Sequence, residues 1–152
     1  MKALIQRVKN AKVTLEDGVV VGSIGKGILV FLGVAKGDTE RNAEYLADKI
    51  VNMRIFEDSA GKLNLSLKDV EGGLLVVSQF TLIADTRHGR RPSFTLAAEP
   101  EVAEGLYLHF VQHSEKTLPK VERGRFRSMM DVELVNDGPV TLILEDPPPA
   151  AS

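Results

Sequence analysis

The sequence predicts a single-domain α/β or α+β protein in which a strongly bent sheet carries two helices on one side. The chain has 152 residues and a hydrophobic content of 43%, which is enough for one domain with a core. Residues 28–34 are continuously apolar, as is typical of a central strand buried on both faces. Two segments with helical spacing of apolar residues lie between strand-like segments, and this alternation favours helices packed on a sheet.

The first half of the chain is predicted to form a hairpin, the central strand and a helix. Asp17-Gly18 lies inside a β-rich segment, 13–21, and we expect a two-residue turn there because glycine supplies a positive φ. Gly25-Lys26-Gly27 is a second turn before the central strand. Asp38 or Thr39 can cap the first helix. Its apolar stripe consists of Ala43, Leu46, Ala47, Ile50 and Met53.

The second half is predicted to contain a strand, a second helix and two late strands. A glycine-rich loop, 61–73, leads to the strand 74–82. Pro100 suits the first turn of the second helix. The apolar face of that helix consists of Val102, Ala103, Leu106 and Phe110. The late strands cover 130–135 and 140–144.

We expect one domain over residues 1–145, because no linker or repeat divides that range. Residues 146–152 include Pro147-Pro148-Pro149, and this composition predicts an extended, disordered tail.

The charge balance restricts the nucleic-acid partners that we expect. The formal net charge is −2, whereas a protein that coats nucleic acid non-specifically is usually basic, so we expect no DNA partner. Two segments are locally basic, 87–91 and 120–127. Each is either a nucleic-acid contact or a solvated charged loop, and composition alone leaves both possibilities open.

Cysteine usage and hydropathy indicate the compartment. The chain has no cysteine, which excludes disulfides, thiol nucleophiles and thiolate metal ligands and is compatible with a reducing cytosol. No run approaches ~18 apolar residues, and the N-terminus alternates instead of resembling a signal peptide. We therefore expect a soluble cytoplasmic protein with no membrane partner.

A polar motif, Ser78-Gln79-Phe80-Thr81-Leu82, follows the apolar residues 74–77 directly. Side chains alternate along a strand, so Gln79 and Thr81 would share one face. A buried strand that ends in polar residues either forms a site at the edge of the sheet or frays into a polar loop. Thr81 has no activating histidine or carboxylate at a telling position, and no Gly-x-Ser-x-Gly elbow is present.

A second motif, Asn136-Asp137-Gly138-Pro139-Val140-Thr141, places a proline inside a strand-like segment. From the residues alone it reads as a hairpin turn with a trans bond, because X-Pro bonds are cis in only ~5–6% of cases. His109 and His113 are spaced i, i+4 and could bind zinc, but no third ligand is evident, which favours a structural or surface role. We expect no metal.

The two motifs, together with Gly89-Arg90-Arg91-Pro92-Ser93-Phe94 and the opening residues 1–8, closely resemble the D-aminoacyl-tRNA deacylase family, also called D-Tyr-tRNA deacylases. The resemblance runs from residue 1 to about residue 144. It implies that family's fold, a single α/β domain with a strongly bent, barrel-like mixed sheet and two helices. It also implies a cytoplasmic homodimer with the active site at the subunit interface. The implied activity is hydrolysis of the ester of D-aminoacyl-tRNA, with glycyl-tRNA as a side substrate, assisted by the RNA and without a cofactor.

The resemblance also implies roles for individual residues. The catalytic pair would act by positioning and through backbone oxyanion contacts, not as a nucleophile: Gln79 and Thr81. The substrate-binding residues would be Ser78, Phe80, Gly138, Pro139, Arg7 and Met130. The tRNA-binding residues would be Arg87, Arg90 and Arg91.

In the family, the Gly-Pro bond of the second motif is cis and projects into the partner's active site, where it rejects L-amino acids. Arg7 matches the arginine that supports it. One departure is clear: the family's Phe-Gly-Ala is here Phe126 followed by Arg127-Ser128. Two alternatives remain open, a non-catalytic tRNA-binding module and a protein whose role is dimerisation or scaffolding.

Overall fold

The computed structural model describes residues 1–148 and confirms a mixed α/β domain with two helices and a nearly closed, barrel-like sheet. The strands are β1 (Lys2–Leu15), β2 (Val20–Ile24), β3 (Gly27–Gly33), β4 (Arg54–Glu57), β5 (Leu63–Ser66), β6 (Gly73–Ser78), β7 (Val121–Arg123) and β8 (Met130–Glu145). The helices are α1 (Glu40–Asn52) and α2 (Pro100–Glu115), with a short 3-10 helix at Phe80–Leu82.

The long strand β1 organises the main sheet, whose order is β2-β1-β3-β6-β7. Its first half pairs with β3, its second half pairs with β2, and β8 pairs along its other side. The pairs β3–β6 and β6–β7 are parallel. The chain therefore leaves β3, β6 and β7 at one edge of the sheet, which we call the carboxyl edge; it carries residues 79–82 and 124–129.

Apolar side chains cover both faces of the central strands. On one face, Ile28, Val30 and Leu32 of β3 pack against the two helices in the larger core cluster. On the other, Leu29 joins a smaller cluster that includes Val13 and other residues of β1, β2 and β6. The prediction of a central strand buried on both faces is confirmed.

The two helices pack against each other with Thr39 as the N-cap of α1, one of the two predicted caps. His109 Nε2 lies 2.9 Å from Glu44 Oε1, and His113 Nε2 lies 2.8 Å from Asp48 Oδ1. The hydrogen bond with His109 lowers the pKa of Glu44. Both histidines thus link α2 to α1, as the structural alternative predicts.

The predicted apolar stripes need small changes. Met53 is the C-cap of α1, and Val51 is buried in its place. Val102 is exposed, whereas Tyr107 is buried on α2. No helix within residues 1–148 has both the length and the apolar content for a membrane span.

Two predictions about the hairpins are wrong. The first hairpin has a three-residue loop, 16–18, closed by a 2.8 Å bond from Leu15 N–H to Val19 O, with Gly18 at φ +87°. A glycine in the third loop position suits such a turn equally well, so the sequence did not fix its length. Residues 63–66, within the loop predicted over 61–73, form strand β5, which pairs with β4 in a second hairpin. Its strands have four residues each, too short for a clear pattern.

Two strand predictions in the second half also change. The strand predicted over 74–82 ends at Ser78, because the chain turns into the 3-10 helix after Gln79 N–H donates to Leu32 O. The two late strands are one strand, β8, whose register shifts opposite residues 6–10 of β1. The irregular register accommodates Pro139, which has no N–H for a ladder bond.

The predicted tail begins with an ordered residue. Asp146 N–H donates to Met1 O at 3.0 Å, and Asn42 Nδ2 donates to Asp146 Oδ2 at 2.9 Å. The part of the predicted tail at residues 149–152 lies outside the described residues.

Replacing Tyr107 with phenylalanine is expected to lower the free energy of unfolding by about 1–3 kcal/mol. The buried Tyr107 hydroxyl donates to Val76 O at 3.0 Å or to Gly124 O at 3.2 Å, and burial raises its pKa to about 12. Urea denaturation measures the change, with Tyr45→Phe as the control because Tyr45 is half exposed. Equal stability of the two variants would contradict this role.

Candidate functional site

The first motif lies at the carboxyl edge, where β6 ends beside β3. Ser78 pairs with Leu32 as the last residue of β6, and Gln79 begins the turn. Ser78 and Gln79 are half-buried, while Phe80 and Thr81 are exposed. The motif therefore presents polar side chains and one aromatic ring at the open end of a buried strand.

The Thr81 hydroxyl accepts a hydrogen bond from the Gln79 side-chain amide. An amide is not a base, and within residues 1–148 no hydrogen bond joins Thr81 Oγ1 to a histidine or a carboxylate. The two side chains thus form a fixed polar pair, which suits positioning better than nucleophilic attack.

Some backbone N–H groups at this turn already donate a hydrogen bond within the protein, and others are free to donate to a ligand. Gln79 N–H donates to Leu32 O at 2.8 Å, so it cannot also stabilise an oxyanion. Phe80 and Thr81 are in the first turn of the 3-10 helix, where N–H groups have no intrahelical acceptor. Among the hydrogen bonds of residues 1–148, neither N–H donates to another group. The N–H groups of Phe80 and Thr81 can therefore make the predicted backbone contact with an oxyanion. Gln79 can contribute only its side chain.

The loop 83–98 folds over the same edge. Asp85 and Ser93 exchange two backbone hydrogen bonds of 2.8 and 2.9 Å, and the rings of Phe80 and Phe94 meet edge-to-face at 5.2 Å. These contacts connect the loop to the first motif.

The three arginines predicted to bind tRNA all lie in this loop, but they differ in state. Arg87 donates to Asp85 from Nε at 2.9 Å and from Nη2 at 2.7 Å. These hydrogen bonds lower the pKa of Asp85 to about 2. Arg90 and Arg91 are exposed and form no ion pair within residues 1–148. Arg87 therefore supports the loop, and Arg90 and Arg91 are open to a ligand.

The loop 124–129, after β7, reaches the carboxyl edge as well. Gly124 N–H donates to Val76 O at 3.0 Å, and Arg125 N–H donates to Met130 Sδ at 3.3 Å. Arg127 has φ +58°, in the left-handed region that costs a residue with a Cβ about 1–2 kcal/mol. A glycine at this position would avoid the cost.

The second motif lies elsewhere, in the middle of β8. Gly138 and Pro139 are exposed, and the peptide bond between them is cis. Arg7 is buried beneath the motif and donates from Nε to Asp137 O at 2.9 Å and from Nη1 to Ile55 O at 2.7 Å. A Cβ on Gly138 would lie 3.0 Å from Arg7 Nη2. Arg7 therefore holds the motif and limits the space around it.

Asn136 and Thr141 close the base of this motif, a role that the sequence did not reveal. Asn136 Nδ2 donates to Thr141 Oγ1 at 2.9 Å, and Asn136 Oδ1 accepts from Val140 N–H at 2.9 Å. Gln6 Nε2 also donates to Thr141 Oγ1, at 3.2 Å. The only sequence signal was their place at the two ends of the motif.

The two motifs do not meet within one chain. Arg7 pairs with Ile28 near the start of β3, whereas Ser78 pairs with Leu32 near its end. Four residues of strand separate these positions by about 13 Å. The structure thus brings Ser78, Gln79, Phe80, Thr81, Met130 and the arginine loop to the carboxyl edge, and it places Arg7, Gly138 and Pro139 toward the other end of the sheet.

Comparisons with known proteins agree on the family. The family model described as D-Tyr-tRNA(Tyr) deacylase matches residues 4–145. Proteins named D-aminoacyl-tRNA deacylase from Dehalococcoides mccartyi and Desulfatibacillum aliphaticivorans are 58% and 59% identical over 145 residues, which are 95% of this chain and 94% and 99% of theirs. The relative from Caldicellulosiruptor saccharolyticus is 55% identical over 95% of this chain and 97% of its own.

Two solved structures share the fold. One, titled c-Myc DNA Unwinding Element Binding Protein, superposes with a TM-score of 0.91 at 42% identity and covers 99% of this chain and 100% of that one. The other, titled as a probable eukaryotic D-amino acid tRNA deacylase, has a TM-score of 0.78 at 17% identity, covers 94% and 97%, and supports the fold alone.

Replacing Arg87 with alanine is expected to raise the pKa of Asp85 from about 2 toward its ordinary 3.8. Since the folded pKa lies below the ordinary value, the pair stabilises the loop above about pH 4, and this contribution is lost as the pH falls toward 2. A ¹³C NMR titration of the Asp85 carboxyl measures both values, with Arg90→Ala as the control. An Asp85 pKa near 3.8 in the unmodified protein would contradict the pairing.

Proposed function

The chain belongs to the D-Tyr-tRNA(Tyr) deacylase family, and we propose that it is a cytoplasmic, homodimeric D-aminoacyl-tRNA deacylase. The observation that carries the proposal is the carboxyl edge, where the first motif presents a positioned polar pair and open backbone donors between two arginine-bearing loops. The names of the 52–59% identical relatives support the same activity.

The reaction is hydrolysis of the ester between a D-amino acid and the terminal ribose. Water adds to the acyl carbon, the bond from that carbon to the ribose oxygen breaks, and the products are a free D-amino acid and tRNA. This ester is already activated, and the neighbouring ribose hydroxyl of the substrate assists hydrolysis of the ester. The protein then has to orient the ester and stabilise the oxyanion.

The residues of the first motif fit those two tasks. The Gln79–Thr81 side-chain pair and Ser78 orient the substrate, while the N–H groups of Phe80 and Thr81 supply oxyanion donors. Phe80 offers an exposed ring that Phe94 supports, and Met130 lies beside the loop 124–129. No step in this scheme needs a side-chain nucleophile or a cofactor.

The active site takes its two motifs from two chains. In one chain, Gly138-Pro139 lies about 13 Å along the strands from the first motif, so it serves another chain's carboxyl edge. Within residues 1–148, β8 pairs on one side only, with β1, and it leaves Val135, Leu142 and Ile143 exposed. A strand with one unpaired edge and exposed apolar residues favours association with a second copy.

In this assembly, Gly138-Pro139 rejects L-substrates by obstruction. A site that accepts many D side chains cannot recognise each of them by contact, so it leaves them in solvent and blocks the direction of an L side chain. Buried Arg7 and the Asn136–Thr141 hydrogen bond hold the obstructing segment in place. Each ~1.4 kcal/mol of overlap slows the L-substrate about tenfold. Glycine has no side chain to obstruct, so glycyl-tRNA is a side substrate.

Incubation with labelled D-Tyr-, D-Ala-, L-Ala- and Gly-tRNA tests the activity. We expect release of both D-amino acids and of glycine, sparing of L-alanine, and no effect of EDTA. A non-catalytic tRNA-binding module would instead protect every ester, and excess duplex DNA as competitor would reveal a DNA-binding protein. If Gly-tRNA were spared as fully as L-Ala-tRNA, recognition by obstruction would be wrong while the deacylase activity would stand.

Mixing two inactive variants tests the shared site. Gln79→Ala and Gly138→Ala are each expected to lose most activity as homodimers. Refolding them together should restore about a quarter of the wild-type activity, because half of the dimers are mixed and each mixed dimer has one site with both motifs intact.

The mixing experiment has a clear opposite outcome. If each site were complete within one chain, every chain in the mixture would carry one defect and no activity would return. Light scattering on each variant checks that both still form dimers, so a failure to assemble is not mistaken for a failure to complement.

A further inference from the structure

We propose that Arg123, Arg125 and Arg127 form a second RNA-binding surface, which contacts the phosphate backbone of the tRNA whose ester occupies the carboxyl edge. This inference rests on the proposed function and adds a surface to it. The surface consists of the last residue of β7, Arg123, and two residues of the loop 124–129, and it is separate from the loop 83–98.

The three arginines are available for a ligand. All are exposed, and none forms an ion pair within residues 1–148. Arg7 and Arg87, by contrast, are held by Asp137 and Asp85. The segment 120–127 carries four cations and one carboxylate in a chain whose formal net charge is −2. The positive charge is therefore local, as a phosphate-binding surface requires.

The loop is placed and held at the substrate edge. β7 runs parallel to β6, with Val76 opposite Arg123, so the chain leaves both strands in the same direction. Gly124 N–H donates to Val76 O, and Gly124 O lies within hydrogen-bond distance of the Tyr107 hydroxyl. The ring of Phe126 lies 5.9 Å from that of Tyr107. Three flexible cations thus project from a tethered backbone, which lowers the entropy lost when phosphate binds.

Arg127 gives the most specific indication. Its φ of +58° is unfavourable for any residue with a Cβ, and glycine would fit there without cost. A long cation in a strained conformation beside the site points to a functional contact. Guanidinium groups bind phosphate through two parallel hydrogen bonds, so an RNA backbone is the ligand that matches this position.

Binding of deacylated tRNA at several salt concentrations tests the surface without depending on turnover. Loss of one phosphate contact is expected to reduce the slope of log K against log salt by about 0.7–0.9. Arg127→Gln should bind about twofold to fivefold more weakly at low salt, and Arg127→Lys should recover part of the loss. Arg125→Gln combined with Arg127→Gln should roughly double the change in slope.

Two controls make the result specific. Arg127→Gly removes the left-handed strain, so weak binding by this variant cannot come from misfolding. Lys49→Gln removes the same charge from an exposed position in the last turn of α1 and should leave tRNA affinity unchanged.

A second substrate distinguishes this surface from the active site. D-Aminoacyl-adenosine has the ester but no phosphate. At limiting substrate, Arg127→Gln should therefore lose about twofold to fivefold more rate with D-aminoacyl-tRNA than with the adenosine ester. Equal losses on both would overturn the proposal, as would an unchanged salt slope or equal weakening for duplex DNA. If the unmodified protein hydrolysed neither ester but still bound tRNA through Arg127, the proposed function would fail and the surface would stand.

Discussion

The parallel pairing of β3 with β6 and of β6 with β7 is the constraint on which the rest of the molecule depends. Because the three strands run in one direction, the segments that follow them emerge at one edge. That edge receives the polar turn after β6 and the arginine-bearing loop after β7. The hydrogen bond from Gln79 N–H to Leu32 O marks the point where the ladder ends and the turn begins. The buried sheet thereby holds the backbone of the exposed site in a fixed position.

The strand β1 imposes the complementary constraint. It runs antiparallel to β3, so Arg7 lies near the start of β3, away from the carboxyl edge. β8 follows β1 along its length, and its irregular register exposes Gly138 and Pro139 directly opposite Arg7. One chain therefore carries the two motifs toward opposite ends of its sheet. In the proposed assembly, that separation is the reason for a dimer: each chain gives one motif and receives the other.

The chemistry of the site follows from what its polar groups are already doing. The backbone N–H of Gln79 donates to the sheet and its side-chain amide donates to Thr81, while Arg87 donates to Asp85. Groups in such fixed bonds position their neighbours. The donors left open are the backbone N–H groups of the turn and the exposed arginines around it, and these suit a developing oxyanion and RNA phosphates respectively. This division of labour suits a substrate that contributes to its own hydrolysis.

The sequence by itself determined the fold class, the central buried strand, the cap of the first helix to within one residue and the two motifs. These features depend on local apolar pattern, capping chemistry and contiguous residue identity. It did not determine where the strand before Gln79 ends, or that β8 is a single strand, because both depend on which backbone lies alongside. Nor could it show that Arg87 is paired, that Asn136 bonds to Thr141, or that Arg127 is left-handed. Only the tertiary structure decided these features, since each depends on distances between residues that folding brings together or on a backbone angle that the surrounding packing imposes.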